Sequence, residues 1–122
     1  MSYSIAELDS IQPGIAIKLR SFGIRTTSKL VEAARNPKGR KLLAEQTGLS
    51  PQCLLRVANF ADKMRIKGIG GEYAELLEVA GVDTVRELKY RNRLKLVRAL
   101  PSEKVVLRWI ETAKKLPIKI SY

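Results

Sequence analysis

Apolar residues recur at helical spacing in two long stretches of the chain. Leu54, Val57, Ala58, Ala61 and Met64 form one stripe, and Val106, Trp109, Ile110, Ala113 and Leu116 form another. Each predicts an amphipathic helix with one face turned to a core. Asn36-Pro37 and Ser50-Pro51 each read as an N-cap followed by proline at the first helical position, where the missing N–H costs nothing. Thr84 to Glu87 has the spacing of a capping box, and Gly48 and Gly81 stand where left-handed helix stops are expected. From Pro117 to Tyr122 the pattern leaves the helix. No alternating run predicts a strand, so the fold class is all-α, with about eight short helices.

The pattern also repeats. At an offset of 58, Leu8 falls on Ile66, Ile11 on Ile69, Ala16 on Ala74 and Leu19 on Leu77; Gly23 falls on Gly81, Thr26 on Thr84 and Leu30 on Leu88. Further along an offset of 52 fits better: Ser50 falls on Ser102, Leu54 on Val106, Arg56 on Arg108, Val57 on Trp109 and Ala61 on Ala113. Two units, about 5–64 and 65–117, follow, the second shorter in its middle. Each is small for an independent core, so a single all-α domain over 1–122 with two packed repeats is expected.

The phrase Ile66-Lys67-Gly68-Ile69-Gly70-Gly71 combines apolar and glycine positions ahead of a predicted helix. Glycines there permit a tight turn with positive φ and keep side chains away from an approaching group. Free N–H groups opening the next helix favour an anion. This phrase, extended through Ala80-Gly81-Val82-Asp83-Thr84-Val85-Arg86-Glu87-Leu88, resembles the helix-hairpin-helix units of DNA repair, recombination and topoisomerase proteins. The whole chain resembles a bacterial family of duplicated helix-hairpin-helix-like proteins of unknown function. The resemblance implies tandem helix-hairpin-helix units, each followed by a further helical pair. It also implies that Gly68, Gly70 and Gly71, with Lys67 beside them, grip a DNA backbone without reading bases. In the first copy Ser10 and Gln12 stand where the second has Gly68 and Gly70, although Pro13 and Gly14 still allow a turn.

Charge adds a partner class. Of 122 residues, 23 are Lys or Arg and 12 are Asp or Glu, a net charge of +11, which favours anionic partners, nucleic acid first and a membrane surface second; cations with few interleaved aromatics make duplex DNA the nucleic acid expected. Lys and Arg concentrate in two repeat-related segments. Residues 35–41 hold Arg35, Lys38, Arg40 and Lys41 with no acid; residues 86–98 hold Arg86, Lys89, Arg91, Arg93, Lys95 and Arg98 against Glu87 alone. Residues 42–85, including the glycine phrase, have a net charge of −2. If 92–100 is helical, Leu96, Val97 and Leu100 are its buried side. The expected nucleic-acid-binding set is Lys67, Gly68, Gly70 and Gly71 with Lys38, Arg40, Lys41, Lys89, Arg91, Arg93, Lys95 and Arg98, a band touching about 5 phosphates. The alternative is a protein–protein adaptor, suggested by Glu72, Glu75 and Glu78 after the glycines and by the glycine-poor first copy. RNA association shares the charge argument and has no motif of its own.

Other chemistry finds little footing. There is no His, which removes a His-based triad and common zinc ligands, and one Cys, Cys53, which forms no intramolecular disulfide and reads as a core thiol. Asp62 and Asp83 have no partner at metal spacing. No cofactor or enzymatic activity is expected. With no basic leader and no apolar run near ~20 residues, the expectation is a cytoplasmic protein without membrane insertion.

Overall fold

The computed structural model describes residues 2–91 and 100–122. A 3-10 helix, Ile5–Ser10, leads to α1 (Ile15–Arg20), α2 (Thr27–Ala33), α3 (Pro37–Thr47), α4 (Pro51–Lys63), α5 (Gly71–Val79), α6 (Val85–Lys89) and α7 (Glu103–Lys115). The all-helical expectation is met among the described residues. Their only β-type pairing is one isolated bridge between Ser4 and Thr26.

The helix boundaries follow the local signals. Asn36 Oδ1 accepts from Gly39 N–H at 2.8 Å, and Ser50 Oγ accepts from Cys53 N–H at 3.0 Å, so both Asn/Ser-Pro pairs open helices. Glu87 reaches back to accept from Thr84 N–H at 3.0 Å and also from the Thr84 hydroxyl, which fixes the first turn of α6. Gly23 and Gly81 both turn the chain with φ near +85°, at 83° and 87°. Each sits after one helix and three residues ahead of a threonine cap.

The offsets persist in three dimensions. At 58, Thr26 and Thr84 are both N-cap residues, and Ile24 and Val82 are both buried behind their glycines. At 52, α4 and α7 coincide, each with 13 residues. All predicted stripe positions are buried except Leu116, which is half-buried. Buried apolar residues from Ile5 to Ile120 form one cluster that draws on both repeats. α4 is the central element: α2, α3, α5 and the 3-10 helix all pack on it.

Among the described residues three charged groups lie inside. Arg40 is 4% exposed, Lys63 0% and Asp62 1%. Asp62 pairs with Arg65 at 2.7 Å and accepts from Val85 N–H at 2.8 Å, so it supports the start of α6. Arg65 and the α6 backbone thus supply the two partners of this buried carboxylate.

The segment after α7 crosses back over the first repeat. Arg65 donates to the Pro117 carbonyl at 2.7 Å and Lys89 to the Leu116 carbonyl at 2.7 Å. Ile120 is buried, Ser121 N–H donates to the Arg35 carbonyl at 2.7 Å, and the Tyr122 hydroxyl donates to Glu87 at 2.7 Å. This extended tail ties the end of the second repeat to α2 and α3 through backbone groups that would otherwise lack partners. Among the described residues, no helix is long and apolar enough to cross a membrane, and no group of three or more His, Cys, Asp or Glu could hold a metal ion.

Candidate functional site

The glycine loop joins α4 to α5. Ile66 and Ile69 are fully buried and hold it to the core, while Lys67 and Gly68 project outward. The three glycines have different roles. Gly68 has φ +94°, and a Cβ there would lie 3.3 Å from Trp109 Nε1, so the loop can rest on the indole only without a side chain. Gly70 is extended, with φ −93° and ψ −171°, and faces open space. Gly71 faces the protein: a Cβ would lie 3.6 Å from Ser10 Oγ and 3.7 Å from the Glu7 carbonyl. Positive φ is therefore a property of Gly68 alone. Gly71 serves the packing of α5 against the 3-10 helix and offers outward only its amide.

The two repeats differ at this point. In the first, Asp9 Oδ1 accepts from Ala16 N–H at 3.0 Å, so a carboxylate of the chain itself closes the start of α1. In the second, Lys67 stands at the repeat position of Asp9, the matching Ala74 N–H donates to the Gly70 carbonyl at 2.9 Å, and among the described residues no side chain caps α5. One helix start is closed by an internal anion; the other is open and flanked by a cation. Glu72 lies exposed in the first turn of α5 and makes no capping bond.

Beside the loop lies a cleft of about 570 Å³. Lys67, Gly68 and Tyr73 form one wall, and Val105, Arg108 and Trp109 of α7 the other. Tyr73 and Trp109 meet with ring centroids 5.4 Å apart at 56°. Among the described residues the lining contains two cations and no carboxylate. Arg108 is exposed, as is Lys104 one turn earlier on α7. Sequence reading gave Arg108 no part in binding. Its signal was available, because Arg108 lies one helical turn from Lys104 and off the buried stripe of α7.

The positions of the other expected site residues vary. Lys38 and Lys41 are exposed on α3, one turn apart. Arg40 is a correction to the expected set. Its Nη1 donates to the Ala34 carbonyl at 2.9 Å and its Nη2 to the Ser121 carbonyl at 2.7 Å, and burial lowers its pKa. It shares the inward face of α3 with buried Leu43, so it is not on the surface with Lys38 and Lys41. Lys89 is half-buried against the tail, and Arg91 donates to the Gly81 carbonyl at 3.0 Å; both hold the chain. Arg93, Lys95 and Arg98, with Leu96 and Val97, lie outside the described residues; Leu100 is buried, as expected.

Neighbouring carboxylates neutralise further cations. Arg56, at the repeat position of Arg108, pairs with Glu78 at 3.3 Å, and Arg35 pairs with Glu32 at 3.4 Å. Glu32 also binds Lys119, and these contacts, led by the Lys119 hydrogen bond, hold its pKa below the usual carboxylate range. Cys53 is half-buried rather than buried, and loss of solvent raises its pKa, which disfavours the thiolate.

No curated protein and no solved structure matched the chain. A family model did match, over residues 9–116, and thus spans both repeats, the glycine loop and the cleft. The chain belongs to the family described as Domain of unknown function (DUF4332).

Proposed function

We propose that this protein is a non-enzymatic nucleic-acid-binding module that holds the DNA phosphate backbone without sequence preference. On this reading the chain is a tandem of helix-hairpin-helix units in one domain, and the second hairpin, loop 64–70 between α4 and α5, is the anchor. The lone half-buried thiol suits a reducing cytoplasm. The observation that carries the reading is the contrast between the two helix starts: Asp9 closes α1, whereas α5 is uncapped beside Lys67. A phosphate oxygen at the second start would meet the first-turn amides ahead of Ala74, since the Ala74 N–H, counterpart of the amide that Asp9 holds, donates to the Gly70 carbonyl at 2.9 Å. Lys67, Lys104 and Arg108 supply the surrounding charge.

Three cations at the anchor set the expected salt dependence. Log affinity for random-sequence duplex should fall with log salt at a slope of about −2.7, a loss of roughly 40-fold between 50 and 200 mM. Fluorescence anisotropy checks this, repeated with Lys67→Glu and Arg108→Glu. Each change should weaken binding to all sequences alike. A flat salt response, or binding unaltered by both reversals, would sink the reading.

Glu72 supplies a second check. An exposed carboxylate in the first turn repels phosphate at the same helix end. Glu72→Gln should tighten duplex binding about two- to five-fold, corresponding to roughly 0.5–1 kcal/mol at a helix N-terminus. Unchanged or weaker binding would place the phosphate elsewhere.

A protein–protein adaptor is the second reading, favoured by a different surface. Phe22 and Leu42 are 47% and 58% exposed and line a groove of about 460 Å³ with Lys29 and Glu32. Failure of the wild-type protein to bind duplex at low salt would leave this groove as the better candidate.

A further inference from the structure

The cleft beside the glycine loop has a chemistry that backbone contact alone does not use. Among the described residues its lining combines two aromatic rings and Val105 with two cations and has no carboxylate. The Thr112 hydroxyl in the lining already donates to the Arg108 carbonyl at 3.0 Å. Such a site disfavours a cationic ligand, has little polar chemistry for a sugar, and suits a flat apolar ring carrying an anion. A volume of about 570 Å³ lies within the range of small-ligand sites.

The first repeat offers no counterpart. At the same repeat positions it has Asp9 for Lys67, Ile15 for Tyr73, Cys53 for Val105, Val57 for Trp109 and Phe60 for Thr112. Its Arg56, matching Arg108, is bound to Glu78. Aromatic rings and unpaired cations thus coincide only in the second copy, next to the uncapped start of α5.

We propose that this cleft seats one unpaired nucleotide at a DNA end or junction, with the base against the half-buried Tyr73 ring, which rests on the buried Trp109, and its phosphate held by Lys67 and Arg108. The proposal rests on the backbone-binding reading and adds a substrate preference to it. Duplex DNA with unpaired terminal nucleotides should bind more tightly than the same duplex with blunt ends. Stacking of one base on aromatic side chains is worth roughly 1–3 kcal/mol, so a gain of about ten-fold is expected.

The chain contains one tryptophan, so its fluorescence reports on the cleft directly. The test titrates the wild-type protein with the blunt and the overhang duplex, following anisotropy and Trp109 emission together. Tighter binding of the overhang duplex with quenching of Trp109 supports the proposal. Val105→Phe fills the cleft and should erase the difference between the two duplexes while duplex is still bound.

Equal affinity and equal emission with both duplexes would overturn the proposal and leave backbone binding standing. No binding of either duplex would overturn both. A free nucleoside monophosphate that quenches Trp109 as strongly as the overhang duplex at equal concentration would instead assign the cleft to a small-molecule ligand, against the DNA-end proposal.

Discussion

Arg40→Ala should destabilise the protein by about 3 kcal/mol and lower its melting temperature by roughly 10 °C or more. The residue is 4% exposed, and its guanidinium bridges the Ala34 carbonyl, at the end of α2, to the Ser121 carbonyl of the tail. Alanine leaves both carbonyls without this donor and opens a cavity between α3 and the tail. Arg40→Met, which fills more of the space without donating, should recover only part of the loss. A local effect accompanies the global one. Ser121 N–H, held by the Arg35 carbonyl, should exchange with solvent much faster in the variant. Thermal melts and hydrogen exchange measure both. The rival expectation, that Arg40 contacts DNA from the surface, requires an unchanged melting temperature and weaker duplex binding. That outcome would refute the buried bridge.

Arg40 also shows where the sequence stops being legible. The caps at Asn36, Ser50 and Thr84, the stripes of α4 and α7 and the positive-φ glycines are local features, set by residues within one or two turns. The caps, the stripes and the positive φ of Gly48, Gly68 and Gly81 are readable in order; Gly70, expected with positive φ, is extended instead. Burial of a charge depends on partners far along the chain: Arg40 meets Ser121 across 81 positions, and Lys63 meets Val82 across 19. A count of Lys and Arg treats every one as solvated, so the interior cations were added to the surface charge. Helical spacing alone carried a warning, since Arg40 lies three residues before buried Leu43. The site was legible in half. The glycine phrase located the loop, but the cleft needed α7 to be placed beside it, bringing Trp109 and Arg108 to Lys67 and Tyr73.

The repeat comparison gives these positions a physical ordering. In the first copy, acidic groups already occupy the helix start and the matching arginine: Asp9 closes α1, and Glu78 holds Arg56. In the second copy those positions are free of carboxylates, while Glu72 is the one acid left in the first turn of α5. Net charge for the segment is thus a poor guide to the anchor. Two of its acids, Asp62 and Glu78, are engaged with arginines.

Stability should rise with pH between about 8 and 10.5, by up to about 3 kcal/mol, because of Lys63. This lysine is fully buried. Its Nζ donates to the Ala74 carbonyl at 2.7 Å and the Val82 carbonyl at 3.2 Å and lies 4.5 Å from the centre of the Phe60 ring. No carboxylate touches it, and burial pulls its pKa down from 10.5 to about 8. In that window the unfolded chain keeps a proton that the folded protein has released, so raising the pH favours folding. Tyr122 acts with the opposite sign. Burial and the bond to Glu87 raise its pKa from 10 to about 12, so above pH 10 the folded state holds the extra proton and loses stability. The two opposed windows overlap between about pH 10 and 10.5, so the rise levels off there and stability falls above it. Lys63→Met tests the cause. The corresponding position in the first repeat is Ile5, also fully buried, so an apolar side chain suits this place in the fold. The variant should be at least as stable as wild type at pH 7, because replacing a buried charge by a hydrophobic group of similar volume is often neutral or stabilising. Its stability should not rise between pH 8 and 10.5. Urea melts across that range decide the matter: a flat wild-type profile, or the same rise in the variant, would remove Lys63 as the origin.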